Sequence, residues 1–230
     1  MKENIKNIAI VPARIGSKRI KNKNVKLFFS KPMIKWTFDI LKKSNIFDKI
    51  VLTSDSEKIL KIGKLAGFDI LIKRPKVLAN DFVGTTAVMN HAIRFLEKNF
   101  SLKNVCCVYP CNPFIQIKDL KKALTYILAD ENSYIFPITN YSHPIQRALE
   151  FNINNKMIKF IDENSIKKRT QDLKTYYFDA GQFYFSSKRV WLSKIRPKLL
   201  GLPIPNWRVV DIDTIDDWKR AELVFKSLKI

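Results

Sequence analysis

Short apolar runs separated by longer patterned stretches fill the first two-thirds of the chain. The runs "IKNIAIV" from Ile5, "KIVLTS" from Lys49, "FDILI" from Phe68, "NVCCVYP" from Asn104 and "SYIFPI" from Ser133 are rich in β-branched and aromatic residues and read as strands. Between them the apolar positions fall at helical spacing: Ile34, Phe38 and Leu41; Val88, Ala92 and Phe95; Leu120, Leu124 and Ile127. A further helix is expected after Ser54, with Glu57 completing a capping box and Gly67 as C-cap. A last helix starts at Thr214 and aligns Trp218, Ala221, Phe225 and Leu228. Alternating strands and helices predict an α/β fold with a mostly parallel, Rossmann-like sheet flanked by helices. From about residue 140 to 187 the pattern changes. "IQRALEF", "KMIKFI" and "GQFYFSS" are short strand-like runs divided by Asn-rich turns such as "NINNK". We expect one domain over 1–230 carrying an antiparallel β-rich inserted arm.

In such a sheet, ligands gather beyond the carboxyl ends of the strands. Four polar clusters occupy those positions: the loop after the first strand, "SDS" from Ser54, "YPCNPF" from Tyr109, and "DIDT" from Asp211, read as a strand end. The first loop packs Arg14, Lys18, Arg19, Lys21 and Lys23 between Pro12 and Asn24. It has neither GxxxxGK[ST] nor GxGxxG, so both standard phosphate motifs fail. Gly16 still allows a tight turn and close approach of backbone N–H groups to an anion. Ser17 adds a hydroxyl, and Arg14 and Lys18 add charge-assisted hydrogen bonds. From these residues alone, phosphate binding and a solvated basic loop both remain open. Asp211 and Asp213, at i and i+2, can face one side and share a hard cation, or can serve the following helix as caps.

Composition narrows the classes. The chain has 230 residues, 46% of them hydrophobic, enough for a sizeable core. No apolar stretch approaches the roughly 20 residues that span a bilayer. The start "MKENIKN" has no apolar signal region, so a cytoplasmic location without membrane attachment is expected. A net charge of +21 invites a nucleic-acid reading, but the cations are spread along the chain rather than clustered, which favours a solvated surface. Cys106, Cys107 and Cys111 lack zinc-ligand spacing and read as free thiols. His91 shares a helix face with apolar residues and reads as structural. Phe183 and Tyr184 alternate along a strand, so at most one faces a ligand.

"VPARIGSKRIKNKN" resembles the [IV]PAR-x-GSK-(~5 residues)-KN motif of the CMP-sugar synthetases, cytidylyltransferases that activate sialic-type acids. "RPKVLANDFVGTT" is similar to the family's RP-x-x-LA-x-D segment, and "DIDTIDDW" to its metal-binding terminus. "HPIQRALE", "KKRTQDL", "FDAGQFYF" and "GLPIP" resemble the branch acting on pseudaminic acid. The resemblance runs in order from Ile8 to about Leu223. It implies a nucleotide-diphospho-sugar transferase fold and transfer of CMP from CTP to the anomeric hydroxyl of a nonulosonic acid, with release of pyrophosphate. It implies that Arg14, Gly16, Ser17, Lys18 and Lys23 meet the triphosphate, Asn24, Arg74 and Thr85 the nucleoside, and Asp211 with Asp213 a Mg²⁺ ion. Arg14, Lys18, Lys23 and Asp211 become the expected catalytic residues. Tyr109, Gln146, Arg147, Arg169, Gln171 and Gln182 become candidates for the sugar, with Arg147 and Arg169 equally open to ion pairing between subunits. A homodimer joined through the arm is also implied.

Four positions depart from the family pattern. Ile15 and Lys21 replace a usual glycine and proline, Tyr109 a glutamine of sialic-acid enzymes, and Phe178 a histidine of the pseudaminic branch. Legionaminic acid, N-acetylneuraminic acid and 3-deoxy-octulosonate are the alternative acceptors. A basic nucleic-acid-binding protein and a CTP sensor without catalysis are the alternatives from other classes.

Overall fold

The computed structural model describes residues 2–80, 82–193 and 196–228. Its centre is β1 (Glu3–Pro12), followed after the basic loop by a small hairpin of β2 (Leu27–Phe28) and β3 (Lys31–Pro32). Then come α1 (Met33–Ser44), β4 (Lys49–Ser54), α2 (Glu57–Ala66), β5 (Ile70–Lys73), α3 (Thr85–Leu96) and β6 (Phe100–Val108). β1 pairs in parallel with both β4 and β6, and β4 with β5, which brings the carboxyl ends of four strands to one edge. After α4 (Ile117–Ala129) and β7 (Ser133–Asn140) comes a separate two-stranded hairpin, β8 (Leu149–Phe151) with β9 (Ile158–Phe160). The chain then re-enters the main sheet as β10 (Tyr177–Asp179) and β11 (Phe183–Ser187), and continues through α5 (Lys188–Leu192), β12 (Lys198–Pro203) and α6 (Ile215–Ser227).

The sheet is mixed. β11 lies antiparallel between β6 and β7, β10 continues along the same edge of β7, and β12 runs parallel to β7. The period-2 alternation of β1 assigns the layers. Ala9 and Val11 enter one cluster with Ile34, Phe38, Ile59, Leu120 and Ile127, so α1, α2 and α4 cover that face. Ile8 and Ile10 enter the other with Met89, Ala92, Ile93, Leu96 and Trp191, so α3 and α5 cover the opposite one. A third cluster gathers Phe28, Met33, Phe114, Val210, Ile212, Trp218 and Phe225, fastening α6 and the segment before it beside the basic loop.

Several expectations change. The run 183–187, read with the insertion, is a strand of the main sheet, because its fully buried Phe183 and Phe185 pack into the first cluster. The helix α2 is capped by Ser56, whose hydroxyl accepts from Ile59, while Ser54 is buried at the strand end; Gly67 closes the helix at φ 104°, as its αL position requires. Phe95 is exposed, and Met89, Ile93 and Leu96 carry the buried face of α3 beside Val88 and Ala92. β12 and α5 were not anticipated. The segment from Arg208 to Asp213 is not a strand, although Val210 and Ile212 still point inward and Asp211 stays exposed.

Candidate active site

Each parallel strand delivers its next residues to the same edge. Ala13 N–H donates to Thr53 O at 3.0 Å and Ile15 N–H to Asp55 Oδ1 at 3.3 Å, tying the basic loop to the end of β4. Half-buried Ile15 packs on the first cluster and anchors the loop from below. Its turn is closed by Ser17 N–H to Ile15 O at 2.8 Å. Gly16 does not adopt a left-handed φ, and a Cβ there would meet open space; its missing side chain leaves backbone open to the cleft. Asn24, 6% exposed, donates from Nδ2 to Arg14 O at 2.9 Å and so fixes the loop's two ends together.

Two adjoining cavities result. One, of about 370 Å³, is lined by Arg14, Gly16, Ser17, Lys18, Arg19, Lys23, Asn24 and Asp213. The other, of about 340 Å³, shares Arg14, Lys23 and Asn24 with it and is further lined by Arg74, Thr85, Tyr109, Cys111, Asn112, Gly181 and Asp211, with the loop Leu78–Asn80 and Val83 at its side. The expected phosphate, nucleoside and metal residues therefore converge, and Tyr109 with them. Asp81 of the RP-x-x-LA-x-D segment lies outside the described residues.

Charge in the cleft is organised around the two aspartates. Lys23 Nζ donates to Asp213 Oδ1 at 2.9 Å and to Ile212 O, and Arg19 pairs with Asp213 Oδ2. Burial works against ionising Asp213, but the hydrogen bond and charge of Lys23, joined by Arg19, bring its pKa below the ordinary carboxylate value. Asp211 goes the other way. The cleft walls take part of the water from this otherwise exposed carboxylate, and the charge of Asp213 adds to the rise, against a lowering pull from Lys23. Neither residue caps the next helix: Thr214 and Asp217 form the capping box of α6 by themselves. Among the described residues, no three acidic, His or Cys side chains gather as a metal cage.

Two crowded carboxylates beside open cleft fit a Mg²⁺ ion that takes its remaining ligands from phosphate and water. Asp211 is available for it, and Asp213 on exchanging its ion pairs. Cys111 faces the same space, yet burial pushes its thiol up to about 12, ruling out a thiolate at neutral pH.

Arg74 is 3% exposed, and its Nε and Nη1 have no partner among the described residues; burial lowers its pKa, partly countered by Asp55. These are donors awaiting an acceptor. In the same cavity Thr85 Oγ1 and Tyr109 OH lie 3.0 Å apart, Tyr109 meets Tyr184 edge-on at 5.4 Å, and Tyr184 OH donates to Asp179 Oδ2 at 2.7 Å. Asp179 Oδ1 accepts from Gly181 N–H at 2.8 Å, holding that residue at φ 61°, a conformation suited to glycine. Of the alternating pair, Phe183 is core and Tyr184 packs behind Tyr109, which lines the cleft, without lining it itself.

The remaining sugar candidates are placed elsewhere. Gln146 Nε2 donates to Lys174 O at 2.8 Å, Arg147 Nη2 to Lys168 O at 2.6 Å, and Arg169 pairs with Asp172 at 3.0 Å; Gln171 is exposed on the same arm. Gln146 Oε1 and Arg147 Nε stay buried without a partner among the described residues, and none of the four side chains lines either cavity. Gln182 is fully buried, its Nε2 donating to Arg208 O at 3.2 Å, so its side chain braces the aspartate segment from behind. Conversely, Asp179, Asn80 and Asn112 were not singled out from sequence. Only the position of "YPCNPF" beyond a strand pointed toward Asn112.

A mixed α/β sheet with parallel core strands, carrying a cationic loop, orphaned arginine donors and paired aspartates at their carboxyl edge, defines a nucleotidyltransferase. Comparison with known proteins agrees. A sequence profile of the cytidylyltransferases matches residues 8–209, and the chain belongs to that family. The pseudaminic acid cytidylyltransferase of Campylobacter jejuni is 38% identical over 226 residues, covering 96% of this chain and 97% of that protein. The N-acylneuraminate cytidylyltransferase of Escherichia coli is 27% identical over 190 residues, 81% of this chain and 43% of its own length. Among solved structures, a CMP:2-keto-3-deoxy-manno-octonic acid synthetase complexed with CTP superposes with a TM-score of 0.71 over 97% of this chain and 99% of that one, at 14% identity. That likeness concerns the fold. Among the described residues no helix is long and apolar enough to cross a membrane.

Proposed function

We propose that this enzyme transfers CMP from CTP to the anomeric hydroxyl of pseudaminic acid, releasing pyrophosphate. The observation that carries the choice of acceptor is the 38% identity, over nearly the full length of both chains, to a protein of that activity. A flagellin modification protein of Campylobacter coli, 27% identical over 95% of its length, supports a role in supplying activated sugar for flagellin or surface glycans. Legionaminic or N-acetylneuraminic acid as acceptor is the second reading, favoured by the likeness to N-acylneuraminate cytidylyltransferases.

In this reading the smaller set of cations, Arg14, Lys18 and Lys23 with the Ser17 hydroxyl, holds the triphosphate and neutralises the leaving pyrophosphate. Lys23 exchanges its Asp213 partner for phosphate oxygen as CTP enters. Arg74 donates its unpaired N–H groups to the nucleoside, with Asn24 and Thr85 beside it. Tyr109 faces the acceptor sugar. Asp211 and Asp213 would hold Mg²⁺, which when bound would neutralise phosphate charge and favour attack at the α-phosphorus. The protein's own contribution is positioning: it fixes the nucleotide against one wall and presents the acceptor from the other. The enzyme works in the cytoplasm, as a homodimer joined through the arm.

The test is pyrophosphate release with CTP and Mg²⁺, offering pseudaminic, legionaminic and N-acetylneuraminic acids in parallel. We expect turnover with pseudaminic acid, abolished by EDTA and reduced roughly 10²-fold or more in Asp211→Asn. Turnover with another acid only would replace the acceptor. CTP binding without turnover on any of them would sink the proposal.

A further inference from the structure

Asn112 lies four residues beyond β6 and lines the cleft, 5% exposed. Its Nδ2 donates to Gly181 O at 3.4 Å, while its Oδ1 is buried without a hydrogen-bond partner among the described residues. The orientation of the amide is determined chemically: turned over, it would set oxygen against the Gly181 carbonyl. A buried acceptor left unpaired is destabilising, and such groups persist where a ligand satisfies them.

The chemistry of that ligand follows from the geometry. An amide oxygen accepts only, so it repels the triphosphate, which carries no donors. The nucleotide's donors are its base amino group and ribose hydroxyls, and the orphaned Arg74 donors stand at the far side of the sheet edge, after β5. Asn112 stands on the opposite side, after β6 and bonded to the turn that leads into β11, with Tyr109 and Asp211 lining the same cavity. One wall thus offers donors and the other an acceptor.

We infer that Asn112 Oδ1 accepts a hydrogen bond from a hydroxyl or acylamido N–H of the acceptor sugar, making Asn112 a specificity-determining residue. The inference rests on the proposed reaction for its ligand. It explains why an asparagine with an unmatched oxygen sits where an apolar residue of the same size would be more stable.

Asn112→Leu keeps the volume and removes the orphan, and Asn112→Ala removes the side chain. Both are compared with the parent enzyme for pyrophosphate release, titrating pseudaminic acid and CTP separately, alongside thermal unfolding. We expect KM for the sugar to rise roughly ten- to hundredfold in both variants while KM for CTP stays within about twofold. Asn112→Leu should unfold at the parent's temperature or above it, and Asn112→Ala somewhat below. A sugar KM unchanged in either folded variant, or a CTP KM rising in step with it, would overturn the assignment. Silence of the parent enzyme with every acid would instead strike the proposed reaction and take this ligand with it.

Discussion

Lys23 and Asp213 show how one side chain can be read correctly for its position and incompletely for its partners. Sequence spacing brought both to the cleft, but only the fold shows Lys23 bonded to Asp213, so that the cation's charge is satisfied before any phosphate arrives. Asp39 offers a measurable case of the same chemistry away from the site. Burial alone would raise its pKa, yet hydrogen bonds and charge from Lys31 and Lys35 outweigh this and leave it below the ordinary 3.8. A carboxylate depressed in the folded state adds stability above the unfolded pKa and loses it as pH falls through the folded one. Asp39→Asn should therefore destabilise the protein by about 0.5–1 kcal/mol at pH 7, given partial exposure, and by nothing near pH 2. Urea unfolding across that range checks it; an equal loss at both ends would mean that packing rather than charge is involved.

At the scale of elements, the piece that matters most is the stretch before α6. Arg208, 2% exposed, donates from Nη1 to Asp119 Oδ2 at 2.6 Å, fastening the start of the aspartate segment to α4, and Gln182 holds the Arg208 carbonyl. A buried pair broken on one side leaves an uncompensated charge. Asp119→Ala should lose about 3–5 kcal/mol in urea unfolding, whereas the double change Asp119→Leu with Arg208→Met should recover most of it. Equal losses in the two would show that shape, not charge, governs this joint. None of this was legible beforehand. Arg208 and Asp119 are 89 residues apart, and no periodicity links them. The helices other than α5 were legible because their apolar spacing is local, whereas the N-cap of α6 falls to Thr214 rather than to the aspartates before it. Ser54 and Ser56 were confused because both precede Glu57 and only backbone geometry separates a strand end from an N-cap.

For the whole molecule, the arm is the open surface. The hairpin of β8 and β9 exposes Leu149, Phe151 and Ile158, with Phe151 paired to Ile158 across the strands and 59% exposed. Large apolar side chains in such a row mark an association surface. With the proposed homodimer formed there, Phe151→Asp combined with Ile158→Asp should shift sedimentation from dimer to monomer at micromolar concentration. A parent protein already monomeric would remove the arm from that role.

Sequence by itself determined the parallel α/β core and which loops reach its carboxyl edge, since both follow from the period of apolar residues and the direction of each strand. The order of the motifs determined the family. What only the tertiary structure decided was pairing between distant parts: that 183–187 joins the sheet, that the arm's Gln146, Arg147 and Arg169 bond within the arm, that Gln182 turns inward, and that Asn112 is left with an unmatched oxygen. Hydrophobic burial is encoded locally and repeats. Hydrogen bonds between side chains depend on distance and angle across the folded chain, and those exist only after it folds.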